Sequence, residues 1–327
     1  MNEALARMHE EAVRIADLLA ERAPLLRVET THLPNGARLI DAGVKARGSH
    51  EAGRLFAEAC LGGFGRVTIA TRALGGAVLT EARVTVDLPL VACIGSQYAG
   101  WKIQKGKFFA MGSGPARSLA AAEPLFERYR LKSHAPRSVL LLETGALPAA
   151  EVAEMVASRC GLPPEGLTLV TAATGSLAGS TQIAARSVET ALHKLMEIGF
   201  DLASIVAGAG SCPIAPGHPD ALRAIGRTND AILYGSEASL WVRCDDGAVE
   251  AVLERVPSSA SKEHGYLFYD LFKEHGDFYA IDPMLFSPAR VTFVNETTGH
   301  VFSAGALNEE LLLRSFGIGA GADAGGV

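Results

Sequence analysis

SQYAGWKIQKGKFFAMGSGPAR, residues 96–117, decides how the chain is read. An apolar run ends just before it: residues 84–87 read as a strand, and Leu90, Val91, Ala92, Cys93 and Ile94 as its continuation. A hydroxyl, an amide and a phenol follow at Ser96, Gln97 and Tyr98. Then come an indole at Trp101, bases at Lys102, Lys105, Lys107 and Arg117, and glycines at 100, 106, 112 and 114. Glycines let backbone amides approach a ligand, polar side chains orient it, and aromatics cover a flat ring. The same composition also fits an exposed loop between two elements.

Working outward, hairpins surround this stretch. Residues 27–31 and 38–42 flank Pro34-Asn35-Gly36, and residues 67–70 face 78–86 across Gly75-Gly76, so both pairs read as antiparallel. The sequence predicts helices over 117–129, 149–159 and 182–198, strands over 138–143, 167–173, 203–207 and 240–244, and a turn at 245–247. A polar break at 132–137 suggests a domain boundary, giving a first α/β domain over 1–134 and a second over 135–327. The C-terminal segment is free to pack back on the first, and residues 318–327 form a frayed tail. The expected fold class is α+β (mixed α/β): two domains with mixed, largely antiparallel sheets and flanking helices, and a pocket between them.

Composition narrows the partners. At 327 residues the chain exceeds what one core usually organises, and 48% hydrophobic with 20% charged residues is a globular balance. A net charge of −6 argues against a phosphate-backbone partner, so nucleic acid is not expected. Five widely spaced cysteines without a CxxC pair signal neither a disulfide framework nor a zinc knuckle, and point to buried thiols in the cytoplasm. The N-terminus carries acidic residues where a signal peptide needs basic ones, and reads as a helix with Leu5, Met8, Ala12, Ile15 and Leu19 on one face. No run reaches the length of a membrane span.

Residues 182–198 hold the second informative group. One helical face would carry Ala184, Val188, Ala191 and Leu195, the other Gln182, Arg186, Glu189, His193 and Glu197. Arg186 and Glu189 are then neighbours at i, i+3. On a solvated face they would be a weak ion pair. In a cleft, entered through the Gly- and Ser-rich residues 174–181, the arginine would keep the carboxylate ionised and oriented, as a general base toward water requires. Other templates fail: there is no HExxH, the nine histidines lack ligand spacing, Gly112-Ser113-Gly114 is an incomplete nucleophile elbow, and no lysine completes a phosphate loop. No metal site is expected.

The third group is DFYAIDPMLFSPA at 277–289, continuing to Asn295-Glu296-Thr297-Thr298-Gly299. With SQYAGWKI at 96–103, MGSGPAR at 111–117, ARSVET at 185–190 and SFG at 315–317, it closely resembles the methenyltetrahydromethanopterin cyclohydrolase family. The likeness runs in order from the N-terminal helix to Phe316. Departures fall at 262–268 and at Ala280, which replaces a usual lysine, and they bear on contacts to the substrate's tail.

The resemblance implies a reversible hydrolysis in one-carbon metabolism. The cationic methenyl bridge of the C1-carrying pterin takes up water, passes through a carbinolamine and opens to the N5-formyl pterin. It also implies a homotrimer with no metal or prosthetic group. By motif, Glu189 is the general base and Arg186 sets its protonation, while Ser96, Gln97 and Tyr98 line the reacting end. Trp101, Lys102, Ser113 and Arg117 complete the expected substrate-binding set, with Lys102, Lys105 or Arg117 toward the tail. Another pterin or folate one-carbon enzyme, such as a formyl transferase, or a non-catalytic pterin-binding protein, remain alternatives.

Overall fold

In a computed structural model, which describes residues 2–276 and 280–318, two six-stranded sheets are flanked by helices. The strands are β1 (Glu29–His32), β2 (Arg38–Gly43), β3 (Gly65–Leu74), β4 (Ala77–Val86), β5 (Trp101–Lys105), β6 (Phe108–Ser113), β7 (Ser138–Glu143), β8 (Leu167–Ala172), β9 (Ile205–Pro213), β10 (Glu237–Val242), β11 (Arg290–Asn295) and β12 (Val301–Gly305). The helices are α1 (Asn2–Glu21), α2 (Ala23–Leu26), α3 (His50–Cys60), α4 (Ala116–Ala120), α5 (Pro124–Arg128), α6 (Ala150–Cys160), α7 (Leu177–Ala184), α8 (Ser187–Glu197), α9 (Ala221–Gly235), α10 (Asp246–Glu250), α11 (Phe268–His275) and α12 (Glu309–Phe316).

The first sheet has the order β1-β2-β8-β7-β6-β5, and the second β12-β11-β10-β9-β4-β3. The β2–β8, β8–β7 and β10–β11 pairs are parallel and the others antiparallel, so the mixed, largely antiparallel expectation holds. Residue 134 lies between β6 and β7, which pair within one sheet, and both sheets take strands from either side of it. Both predicted hairpins form, β1 with β2 and β3 with β4, because Asn-Gly and Gly-Gly supply the positive φ their turns need: Gly36 has φ 89°, Gly75 54° and Gly76 80°.

Central strands of the first sheet are buried on both faces, as parallel strands require. Val139 and Leu141 of β7 pack with Phe56 of α3 and Ala178 of α7 on one face. Leu140 and Leu142 pack on the other with Trp101 and with Val152 and Val156 of α6. A third core, between the second sheet and α8, α9 and α12, contains Val84, Val188, Leu192, Leu240, Phe293 and Leu312. The predicted apolar face of α1 is buried as expected, bridging two of these cores.

Four predicted features differ. The apolar run at 90–94 is not a strand: Leu90–Gln97 is a buried π-helix, closed by a 2.7 Å bond from Tyr98 N–H to Cys93 C=O. An apolar run of this length is compatible with a buried helix as well as a strand, and Pro89 at its start favours the helix. The helix over 117–129 breaks into α4 and α5, where Ala121 turns left-handed (φ 43°) and Pro124 opens the second piece. The helix over 182–198 is likewise two, α7 and α8, parted at Ala185-Arg186. Asp245 precedes α10 where a simple turn was expected. Asp277, Phe278 and Tyr279 of the third motif, and residues 319–327 of the expected frayed tail, lie outside the described residues.

Candidate active site

The break between α7 and α8 makes the site. Arg186 sits at the N-cap of α8 with φ −97° and ψ 4°, so the helical ladder is interrupted there. The Ala185 carbonyl, facing the break, accepts a 3.2 Å bond from Gln97 Nε2 of the π-helix. Glu189 therefore lies in the first turn of α8, where the helix dipole favours a negative charge.

Arg186 is a hub. Its Nε donates to Gln182 Oε1 at 3.1 Å, its Nη1 to the Gln97 carbonyl at 2.7 Å and to Glu189 Oε2 at 3.4 Å, and its Nη2 to Ser113 Oγ at 2.9 Å. Arg186 and Glu189 are 8% and 6% exposed, so they are not an ion pair on a solvated face. One guanidinium thus ties α7, α8, the π-helix and β6 together, and Glu189 is its longest contact. Among the described residues, Gln97 Oε1 is buried without a hydrogen-bond partner, and so is Ser187 Oγ next to Arg186. A buried polar oxygen left open beside an ion pair is a place for a polar ligand or water.

The expected residues separate into two groups. Gln97, Ser113, Arg186 and Glu189 are brought together as described. Tyr98 is close as well: its ring stacks on His193 at 4.7 Å between centroids, and its hydroxyl pKa is pushed up to about 12, first by burial and then by the charge of Glu189. Ser96 turns its hydroxyl to the Cys60 carbonyl at 2.6 Å, serving the π-helix.

Arg117, expected near the substrate's tail, is fully buried. It donates to the carbonyls of Ile94 at 3.1 Å and Ser96 at 3.0 Å, and to Glu123 at 2.5 and 3.2 Å. Trp101, expected to cover a flat ring, packs in the core with Leu140, Leu142 and α6. Its partner in the β5–β6 register is Gly112, so alternation puts the indole on the sheet face opposite Ser113. Lys102 pairs with Met111 and falls on the Ser113 face, at its exposed edge.

Sequence reasoning put Gln182 on the polar helical face and Thr174 at the cleft entry, but gave neither a contact and gave Glu143 no part in the site. Thr174 Oγ1 donates to Glu143 Oε1 at 2.5 Å, joining the carboxyl ends of β7 and β8. An acidic residue closing the apolar run Val139 to Leu142, followed by Thr-Gly, was the available signal, since strand ends in α/β sheets commonly face ligands. A depression of about 350 Å³, lined among others by Tyr98, Leu125, Met196 and Glu197, lies at the C-terminal end of α8. Among the described residues no group of three or more His, Cys, Asp or Glu side chains is placed to hold a metal ion, and no helix is long and apolar enough to cross a membrane.

Comparison with known proteins agrees with the motif resemblance. Residues 7–316 match the family model described as Cyclohydrolase (MCH). The chain is 46% identical over 312 residues to the methenyltetrahydromethanopterin cyclohydrolase of Methylobacterium sp. (strain 4-46), covering 93% of this chain and 96% of that one. It is 44% identical over 304 residues to the protein of that name from Xanthobacter autotrophicus, covering 93% and 90%. To the protein of that name from Methanospirillum hungatei JF-1 it is 42% identical over 312 residues, covering 95% and 98%. The chain belongs to the methenyltetrahydromethanopterin cyclohydrolase family.

Proposed function

We propose that the chain reversibly hydrolyses 5,10-methenyltetrahydromethanopterin to N5-formyltetrahydromethanopterin, with Glu189 as general base. Family membership over nearly the whole chain supports the reaction. The observation that carries the base assignment is the buried Arg186–Glu189 pair, in which the arginine is fixed by three other groups and the carboxylate, among the described residues, by a single 3.4 Å contact.

The substrate's bridging carbon is flanked by two nitrogens that share a positive charge, so it is already electrophilic. The enzyme needs to place a water and accept its proton. Glu189 takes a proton as the water oxygen bonds to the carbon, giving a neutral carbinolamine. The C–N bond to the second nitrogen then breaks, that nitrogen is protonated, and the formyl group stays on N5. One water is consumed and one proton released. Arg186 aims Glu189, Gln97 offers an open amide oxygen to the water, and Tyr98 supplies an aromatic face.

We assign no metal or prosthetic group to this chemistry, because a cationic carbon needs no Lewis acid. We further propose a cytoplasmic homotrimer with one pocket per subunit. The homotrimer follows the family resemblance, and the location is supported by cysteines that are all free thiols, four of them buried. The methenyl cation has its own near-UV absorbance. Its enzyme-dependent loss in the presence of a chelator and without any formyl acceptor is the expected result; a requirement for an acceptor or for a divalent ion contradicts the reading. Sedimentation at micromolar concentration is expected to give the trimer mass, and a stable monomer would contradict that part.

A further inference from the structure

We infer that Glu143 is a specificity-determining residue that accepts the two neighbouring N–H groups of the pterin's 2-amino-4-oxopyrimidine edge. This rests on the cyclohydrolase reading.

β6 and β7 are antiparallel, with Ser113 opposite Leu141 and Met111 opposite Glu143. Directly opposed side chains share a face, so Glu143 projects on the face where Ser113 holds Arg186. Electrostatics agrees: the charges of Arg186, Glu189 and Glu143 all reach the buried Cys60 thiol. Connectivity gives the same place. β7 leads to α6, which packs on the Trp101 face, whereas the neighbouring parallel strand β8 leads to α7 on the opposite face. Glu143 and Thr174 therefore stand at the carboxyl ends of two strands whose connections part to opposite sides, where open sheets form a ligand crevice.

The chemistry of the position is incomplete without a donor. Glu143 is half-buried, and among the described residues it has the Thr174 hydrogen bond on Oε1 and no ion pair. A carboxylate offers about four acceptor sites, so Oε2 and part of Oε1 stay open. A partly desolvated carboxylate lacking donors is costly, and a ligand with two parallel N–H groups relieves that cost. The N3–H and 2-amino hydrogens of a pterin form such a pair, which Arg186 cannot accept. Beside Glu143 on the same face, Met111 is half-buried and Phe109 is 49% exposed, giving an apolar strip on which a flat ring can lie.

Steady-state kinetics with methenyltetrahydromethanopterin, together with equilibrium dialysis of a bare tetrahydropterin, tests this on the full chain. Glu143→Gln retains an oxygen for Thr174 but opposes an amide to the pterin's donors. It is expected to raise KM roughly 10- to 100-fold with kcat changed less than about threefold, and to weaken tetrahydropterin binding in step. Wild-type KM and tetrahydropterin binding in a folded Glu143→Gln overturn the assignment, as does a loss confined to kcat. If Glu143→Gln does not fold, Glu143→Asp serves: a severalfold rise in KM supports the contact, and an unchanged KM removes it. A wild-type protein that binds tetrahydropterin without hydrolysing the methenyl form would defeat the cyclohydrolase reading, leaving the dialysis to decide Glu143.

Discussion

Two buried arginines, each paired with a glutamate, hold the two sides of the π-helix end, and the pairs are built differently: Glu123 is half-buried and Glu189 buried. Arg117 grips the Ile94 and Ser96 carbonyls and closes on Glu123 with two contacts of 2.5 and 3.2 Å. Arg186 grips the Gln97 carbonyl, Gln182 and Ser113, and reaches Glu189 once, at 3.4 Å. In the first pair both carboxylate oxygens of Glu123 are engaged by the arginine. In the second the arginine is fixed by others, and the carboxylate keeps most of its acceptor capacity. Identical residue types thus serve as a structural clamp on one side and a chemical group on the other, according to where the hydrogen bonds go.

The clamp gives the largest expected effect. Arg117→Ala leaves Glu123 and two backbone carbonyls without their donor inside the protein, which costs about 3–5 kcal/mol. A fall in melting temperature of roughly 10 °C is expected. A shift of a degree or two would mean that the pair is replaceable and does not act as a clamp.

Asp230 is a third case, a buried acid on which, among the described residues, no arginine closes. It accepts from Phe268 N–H at 2.9 Å and Ser315 Oγ at 2.6 Å, tying α12 to α9, and burial raises its pKa to about 7 despite those bonds, with Asp270 adding to the rise and Arg314 opposing it. A folded pKa above the unfolded value means the protonated acid favours folding. That stabilisation is full below about pH 4 and is lost as pH rises toward 7, a change on the order of a few kcal/mol. Asp230→Asn is expected to flatten denaturation midpoints across pH 4–8; an unchanged slope would show that the acid does not titrate in this range.

A smaller effect is expected from Arg186→Lys. The charge stays, but a lysine cannot reach Gln182, Gln97, Ser113 and Glu189 from one planar fork. Turnover should fall roughly tenfold, by about 1.4 kcal/mol, with KM changed less. Wild-type kcat would show that charge alone, without the fork, orients Glu189.

Much of this molecule was legible beforehand, for physical reasons that also mark the limit. Pro34-Asn35-Gly36 and Gly75-Gly76 announce their turns locally, and the i, i+3 spacing of Arg186 and Glu189 is kept because the helix breaks just before them, not between them. The break itself was hidden, because the Ala185 carbonyl is satisfied by Gln97, 88 positions away. The π-helix was hidden because Leu90 to Ile94 is apolar enough for either buried element. Trp101 looked like a ring cover and is core, since which sheet face a side chain takes depends on register against Gly112. Glu143 joined the site for the same reason, through its register with Met111.

The most direct test of the central claim is kcat and melting temperature measured together for Glu189→Gln and Glu123→Gln. The amide keeps shape at each position and removes the charge. Glu189→Gln is expected to lose roughly 10²–10⁴-fold in kcat with its melting temperature nearly unchanged. Glu123→Gln is expected to melt several degrees lower while its folded fraction turns over within about threefold of wild type. Near-normal kcat in Glu189→Gln, or an equal loss of turnover in both variants, would contradict the assignment of the base to Glu189.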